Sequence, residues 1–495
     1  MNEKITLLFP PGYIFVRKTD YSPTPPIGLA QIAALLEHNG FEVTGIDSHN
    51  FMFSEDTNAN GSISNEQKFL EKIILLVEKT NPALLIISAW TKSVPFISEF
   101  VKSFKKRNPE IKILLGGITS EIIAEEIMKL IPNIDFLKKG ENINDLPFFV
   151  KKIFNKEKDF TDIKGLLYYQ KKQLIDTGEP EILKNMDELP IVDFSQFKDT
   201  RKVKYMTLVS SVGCPYRCVF CSYIAFRPKK MFFSEDHFEK QLKVLKDKFG
   251  DFKLYLYDDN FLVKKDKAHK IARIIKKYDI PWSMSTRSDL LDEKDAKILK
   301  ETNCETIFFG VENLIPKTIE FFNKAFKPKE YIDKTYESLK LIKKYDLKVV
   351  LAFIAGTPTE TKEEIFENLQ IMKNINEKYF ENIDHIEYAI LRPEIGSNLW
   401  NRVKKGEFKI TLPKSKKLIQ NYSGAQLFSN KYSQNKTLTI SNHIFKSKIY
   451  TTTEFEKILV KAINFYDKEI KDQRKYKKKM YEMIRKAKLQ ENEEF

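Results

Sequence analysis

Cysteine is scarce in this chain: its 495 residues include four. Three of them, Cys214, Cys218 and Cys221, stand within eight positions, and Cys304 is alone far downstream. That distribution does not suit a disulfide framework, which wants an even set in a small secreted domain. A closed zinc site wants four ligands paired as two short hooks. Long apolar runs are missing as well, none approaching the ~18 residues of a membrane span. The opening "MNEKITLLFPPG" has too short an apolar run for a signal peptide and leads straight into a strand pattern. Little cysteine and no export signal point to a reducing cytoplasm. Apolar residues at 42% and charged residues at 31% are ordinary for a globular protein with ample core, here expected in two or three domains.

Positive charge is in excess by 15, but it is unevenly placed. Between Lys471 and Lys488, nine lysines or arginines face two acids, which is nearly half of the excess. A solvated helix face is the ordinary reading of that tail, and contact with a polyanion such as nucleic acid is the alternative.

Over the first 150 residues, short buried strands ("ITLLF", "EVTGID", "ALLIISA", "KILLGG", "DFLKKG") alternate with amphipathic stretches. In "PPIGLAQIAALLEHNG", Leu29, Ile32, Ala33 and Leu36 share one helical face, with Gly40 as a left-handed terminator. This predicts a Rossmann-like, doubly wound parallel sheet whose ligand lies beyond the strands' carboxyl ends. Residues 151–200 read as a connector with a β-ribbon around "GLLYYQKKQLIDTG". From 201 to 400, six strand–helix units predict an open, partial α/β barrel whose strand ends converge on one face. Residues 401–495 read as a mostly helical, basic extension. Its last helix is predicted from Thr453, where Thr453-x-x-Glu456 has the form of a capping box.

The cysteine loop, "SSVGCPYRCVFCSYIAF", follows the first barrel strand directly. Thiolates are strong donors to iron–sulfur clusters, which normally take four; with three, one iron of a cubane keeps an open position. Tyr216 and Phe220 would shield such a centre from water. A zinc knuckle completed by Cys304 or a histidine is the alternative.

The spacing C-x3-C-x-φ-C, with Phe220 in the aromatic place, resembles the signature of radical S-adenosylmethionine (SAM) enzymes. The resemblance implies that Cys214, Cys218 and Cys221 hold a [4Fe–4S] cluster. It also implies that Phe220, Asp258, Asp259, Asn260, Arg287, Glu312, Gly356 and Pro358 meet SAM. Of these, Asp258-Asp259-Asn260 resembles the segment at the amino group, while Arg287 and Glu312 occupy places at the carboxylate and ribose. "IAGTPTET" resembles the segment that flanks the adenine, and "RPEIGSNLW" the segment of the sixth strand. Each has a plainer reading: the aspartates could cap a helix, Arg287 could pair with Asp289, and the Gly-Pro pieces could be turns. Cys304 reads as a buried structural thiol. With one spare cysteine, a second cluster of the sulfur-inserting branch is not expected.

The doubly wound domain before the barrel, the "DELP" connector, and the segments "LLGGI" and "LKKGEN" resemble the cobalamin-binding branch of this family. For cobalamin the resemblance suggests Gly28, Ser88, Trp90, Thr91, Gly116, Gly117, Gly140 and Glu141. Small residues there would let backbone approach the nucleotide tail and corrin, and Trp90 would pack on the lower cobalt face or fill the domain interface. No D-x-H-x-x-G follows the first strand, and His49 reads as a surface loop residue. A domain that keeps the fold without a corrin is the competing reading. The implied chemistry is reductive SAM cleavage to a 5′-deoxyadenosyl radical, with an external one-electron reductant of flavodoxin or ferredoxin type. The implied outcome is cobalamin-dependent methylation of an unactivated carbon. Cyclisation or rearrangement without methyl transfer is the second reading, and a metal-stabilised nucleic-acid-binding module the third.

Overall fold

Strands of the first domain are mostly apolar on both faces, because helices lie against each of them; Thr6 is a buried polar exception. The computed structural model describes residues 3–11, 26–48, 66–91, 93–117, 122–140, 142–197, 205–222, 229–415, 417–418, 444–472 and 474–475. Strands β1 (Lys4–Phe9), β2 (Glu42–Asp47), β3 (Leu84–Ser88), β4 (Lys112–Gly116) and β5 (Phe136–Lys138) pair in parallel in the order β2-β1-β3-β4-β5. Alternate residues divide between two cores. Ile5, Leu7, Leu84, Ile86 and Leu114 join one cluster, and Leu8, Leu85, Ile87, Ile113 and Leu115 join the other. Gly40 takes φ +87° just past helix α1 (Ile27–His38), so the expected left-handed stop is present.

The connector differs from expectation. Its ribbon, β6 (Leu166–Gln170) and β7 (Gln173–Asp176), adds antiparallel to β5 and extends the first sheet to seven strands. A three-residue β5 would otherwise leave an unpaired edge, which proteins cover. Farther on, Gly45 N donates to Gln196 O at 2.9 Å, and a Cβ on Gly45 would sit 2.5 Å from the Phe197 ring. Glycine there lets the connector lie flat across β2.

The barrel strands are β8 (Tyr205–Leu208), β11 (Lys253–Leu256), β12 (Trp282–Arg287), β13 (Cys304–Glu312), β14 (Val349–Ala355) and β15 (Ile383–Ile390). They lie side by side in that order, all parallel. A short antiparallel pair, β9 (Ser211–Val212) with β10 (Met231–Phe232), flanks the cysteine loop. Leu254, Leu256, Trp282, Met284, Ile307, Phe309, Leu351 and Phe353 are buried on the helix side, and the alternating set faces the lumen. After β15, Ile395 and Trp400 pack into the outer core of the first domain, which ties the two domains together.

The α-helix Thr452–Tyr466, continued by a π-helical stretch over Asp467–Asp472, starts one residue earlier than expected and is capped by Thr451 with Glu454, not by Thr453 with Glu456. Glu454 N donates to Thr451 Oγ1 at 3.3 Å. Glu456 is drawn away, because its carboxylate accepts from Lys414 N at 3.1 Å. A short antiparallel pair, β16 (Ile410–Thr411) with β17 (Ile444–Phe445), interrupts the expected helical extension. His49 and the basic tail beyond 475 lie outside the described residues.

Candidate functional site

The cysteine loop is fixed from three sides. Val219 N donates to Phe322 O and Leu399 N to Val219 O, both at 2.9 Å, and Cys221 N donates to Cys218 O at 3.1 Å. Phe220 meets Phe322 edge-on at 5.1 Å, within an apolar cluster behind the loop. At the loop's root, Gly213 takes φ +85° and its N–H donates to Asp259 at 2.6 Å. Among the described residues, no three His, Cys, Asp or Glu side chains converge on a single metal ion. Cys304 begins β13, at the end of the barrel opposite the loop, and is buried. It therefore cannot complete a zinc knuckle with the loop.

Two buried cations face the loop. Arg287 is bound in bidentate fashion by Asp289 (2.9 Å twice), stacks 4.0 Å from the Tyr216 ring, and points Nη1 at Cys218 Sγ, 4.0 Å away. Lys324 is nearly inaccessible and reaches Glu312 at 3.1 Å. Burial pushes the Cys218 thiol up, and Lys324 and Arg287 pull it part of the way back. Burial is the largest influence on Lys324 and opposes its charge, but Glu312, with smaller help from Tyr331 and Cys218, holds the amine protonated. Glu312 sits at φ +66°, beside a register shift between Gly310 and Glu312. A Cβ on Gly310 would lie 2.6 Å from the Glu312 carboxylate, so glycine makes room for this strained acid.

The remaining residues expected near SAM divide into two groups. Asp258 lies past the end of β11 and is fully buried, accepting from Ser210 N and Oγ at 2.7 Å and from Ser211. Burial raises its carboxyl. With both oxygens engaged, Asp258 braces the loop instead of offering itself to a ligand. Asn260 behaves differently: its oxygen accepts from Thr286 at 2.8 Å, but its amide nitrogen is buried with no hydrogen-bond partner among the described residues. Such an orphan donor marks a place for a ligand acceptor. Gly356, at φ +94°, and Pro358 are both buried, and Pro358 O accepts from Lys448 N at 2.7 Å.

Between the two domains lies a cavity of about 350 Å3. Its walls hold Gly28, Ser88, Trp90, Gly116, Gly117 and Gly140 from the first domain, and Asp259 from the barrel. Thr91 is not in the wall, and Glu141 lies outside the described residues. A Cβ on Gly28 or Gly116 would meet nothing within 4 Å, so both present bare backbone to the space. Gly117, at φ +105°, has Ala89 O 2.7 Å from where a Cβ would lie and can only be glycine. Trp90, 38% exposed, stands just past the end of β3 in a T-shaped contact with Phe9, ring centroids 6.1 Å apart. Thr207 Oγ1, in the barrel wall, is buried with no hydrogen-bond partner among the described residues.

Two family models match this chain: the B12 binding domain over residues 13–145 and the radical SAM superfamily over residues 208–371. The chain belongs to the radical SAM enzymes that carry a B12-binding domain. The fold agrees with its relatives. A solved radical SAM methyltransferase, TsrM from Kitasatospora setae, superposes with a TM-score of 0.64 at 14% identity, over 84% of this chain and 82% of that one. Among sequences, the uncharacterized methyltransferase PH0819 of Pyrococcus horikoshii is 27% identical over 94% of this chain and 92% of its own. The anaerobic magnesium-protoporphyrin IX monomethyl ester cyclase of Synechocystis is 23% identical over 66% of this chain and 64% of its own.

The radical SAM domain implies a [4Fe–4S] cluster and SAM, and the B12 binding domain implies cobalamin. The donor set fits: three thiols outside any disulfide on one braced loop beside two buried cations, side-chain donors at Asn260 and Thr207 that have no partner among the described residues, and a cradle of bare glycines. Among the described residues no helix is long and apolar enough to cross a membrane. Sequence reasoning missed Lys324, Thr207 and Tyr257, which carry no motif, and Glu360, which was legible only as part of "TPTET". Glu360 is buried, and it accepts from Gly356 N and Thr357 N at 2.7 Å each. Burial outweighs those bonds and pushes its carboxyl up to about 7 from 4.5. As pH rises past 4.5, the unfolded chain therefore loses this proton first, and the stability held below that pH is lost through about 7. Glu360→Gln keeps an oxygen for both N–H groups. Urea unfolding at both ends of that window should show its pH dependence flattened by up to ~3 kcal/mol.

Proposed function

We propose that this radical SAM enzyme is a cobalamin-dependent C-methyltransferase acting on an unactivated carbon. One observation carries the reading: a single cavity has a wall of first-sheet strand ends and a facing wall of barrel residues, Thr207, Val209, Tyr257 and Asp259. Bound there, cobalamin would supply a methyl carrier, and the cluster with SAM a radical source. In this reading Gly28, Ser88, Trp90, Gly116, Gly117 and Gly140 cradle the corrin and its tail. Cys214, Cys218 and Cys221 hold the cluster. Phe220, Asp259, Asn260, Arg287, Glu312, Gly356 and Pro358 hold and orient SAM, with Asn260 offering its orphan N–H. Apolar neighbours such as Leu183, Met186 and Val212 keep water from the space between.

The reading includes a one-electron reductant of flavodoxin or ferredoxin type and a reducing cytoplasmic setting, and it assigns nucleic acid no part in the reaction. Support comes from the paired domains and the names of similar proteins. The named cyclase favours a second reading, radical cyclisation without methyl transfer. The test is anaerobic reconstitution with SAM and methylcobalamin, followed by cobalt spectroscopy and product analysis. Methyl transfer predicts consumption of the cobalt-bound methyl group and formation of S-adenosylhomocysteine. 5′-Deoxyadenosine with an unchanged cobalt spectrum would favour cyclisation, and failure to bind corrin would end the reading.

A further inference from the structure

The inner face of the barrel carries a feature that deepens the proposed function and rests on it. In β15, Ile386 and Tyr388 are buried toward the helices. Tyr388 stacks on Tyr466 at 5.4 Å, and Tyr466 Oη donates to Ile386 O at 2.5 Å. By alternation, His385 and Glu387 face the lumen. Register continues that face through Val350 and Ala352 to Phe308 and Gly310, then to Ser285 and Arg287. Tyr255 closes the arc, with its hydroxyl 2.8 Å from Ser285 Oγ. Tyr255 and Tyr257 meet edge-on at 5.9 Å, and Tyr257 also lines the cavity between the domains. Glu387 and Tyr255 share this inner face: burial is the first cause that raises the Tyr255 phenol, and the Glu387 charge adds to it.

Two other acids near this face have their cations. Asp289 closes on Arg287, and Glu312 on Lys324. Glu387 has His385 Nε2 at 3.4 Å and, among the described residues, no lysine or arginine partner. Both side chains are accessible, His385 at 56% and Glu387 at 54%. An accessible carboxylate facing aromatic rings attracts a cation through charge, a charge-assisted hydrogen bond and the ring faces.

We propose that Glu387, with Tyr255, Tyr257 and Phe308, forms the substrate subsite of the lumen and takes a protonated amine borne on an apolar or aromatic body. Three probes share one ring and differ in head charge: phenethylamine, phenethyl alcohol and phenylacetate. Calorimetric titration of the reconstituted enzyme should show the amine binding at least ~10-fold tighter than the alcohol, with phenylacetate weakest. Glu387→Gln should abolish the preference, and Glu387→Lys should turn it toward phenylacetate. Circular dichroism and thermal unfolding establish that the variants are folded; should either fail to fold, the order of the three probes on the unaltered enzyme decides by itself. Equal binding of all three, or an amine preference that survives Glu387→Gln, overturns the proposal. These titrations involve no methyl transfer, so failure of the methyltransferase reading would appear in the cobalt spectra and leave the binding result to stand or fall separately.

Discussion

Cys218→Ala should strip the reconstituted protein of iron and of reductive SAM cleavage together, and Cys214→Ala and Cys221→Ala should do the same. Altering an outer partner of a metal ligand commonly costs 10–100-fold, so losing a thiolate donor should exceed ~100-fold in SAM cleavage. The reason lies in the loop's construction. Its backbone is pinned at Val219 and Cys221, and Asp258 and Asp259 brace its root. A missing thiolate therefore cannot be replaced by local rearrangement. Cys304→Ala is the control: that thiol is buried at the far end of β13, with burial raising it well out of the thiolate range. It should cost on the order of 1 kcal/mol of stability and no iron. Iron analysis and 5′-deoxyadenosine yield read the outcome, and retention of both in Cys218→Ala would refute the assignment.

Lys324→Met should be among the most destabilising single changes in the barrel, by ~3–5 kcal/mol, because it leaves the Glu312 carboxylate buried without its cation. The side chains of Lys324 and Glu312 are 4% and 12% exposed, so water cannot take the amine's place. Pairing it with Glu312→Leu should recover most of the loss, since an apolar pair of similar volume is often as stable as the ion pair it replaces. Denaturant unfolding of the two variants tests this, and equal instability would show that the charges do not act as a pair. The single variant should also lower the reduction potential of the loaded cluster, because a buried positive charge near Cys218 stabilises added negative charge. A potentiometric titration would show that shift even where activity is too low to measure.

Much of the fold was legible because its strands have short apolar runs and its helices keep a regular stripe. Leu29, Ala33 and Leu36 are buried on α1 as their spacing required, and Gly40 ends that helix in the left-handed region. The ribbon at 166–176 was legible as a ribbon, but not its attachment, since pairing with β5 depends on an edge that exists only after the sheet forms. The cap at Thr451 was missed because three consecutive threonines offer equivalent starts, and the contact that removes Glu456 comes from Lys414, 42 residues away in sequence.

The candidate site shows the same division. The spacing of Cys214, Cys218 and Cys221 and the order of the strand-end segments are local, so the sequence by itself determined the loop, the family and the side of the barrel where chemistry occurs. Tertiary structure alone decided which neighbours those residues meet. It engaged Asp258 with Ser210 and Ser211, set Lys324 against Glu312 beside Cys218, and left Glu387 with no lysine or arginine partner among the described residues, on the face that also carries Tyr255. The physical reason is range: hydropathy and spacing act over a few residues, whereas charge pairing and burial depend on groups that come near only when the strands converge.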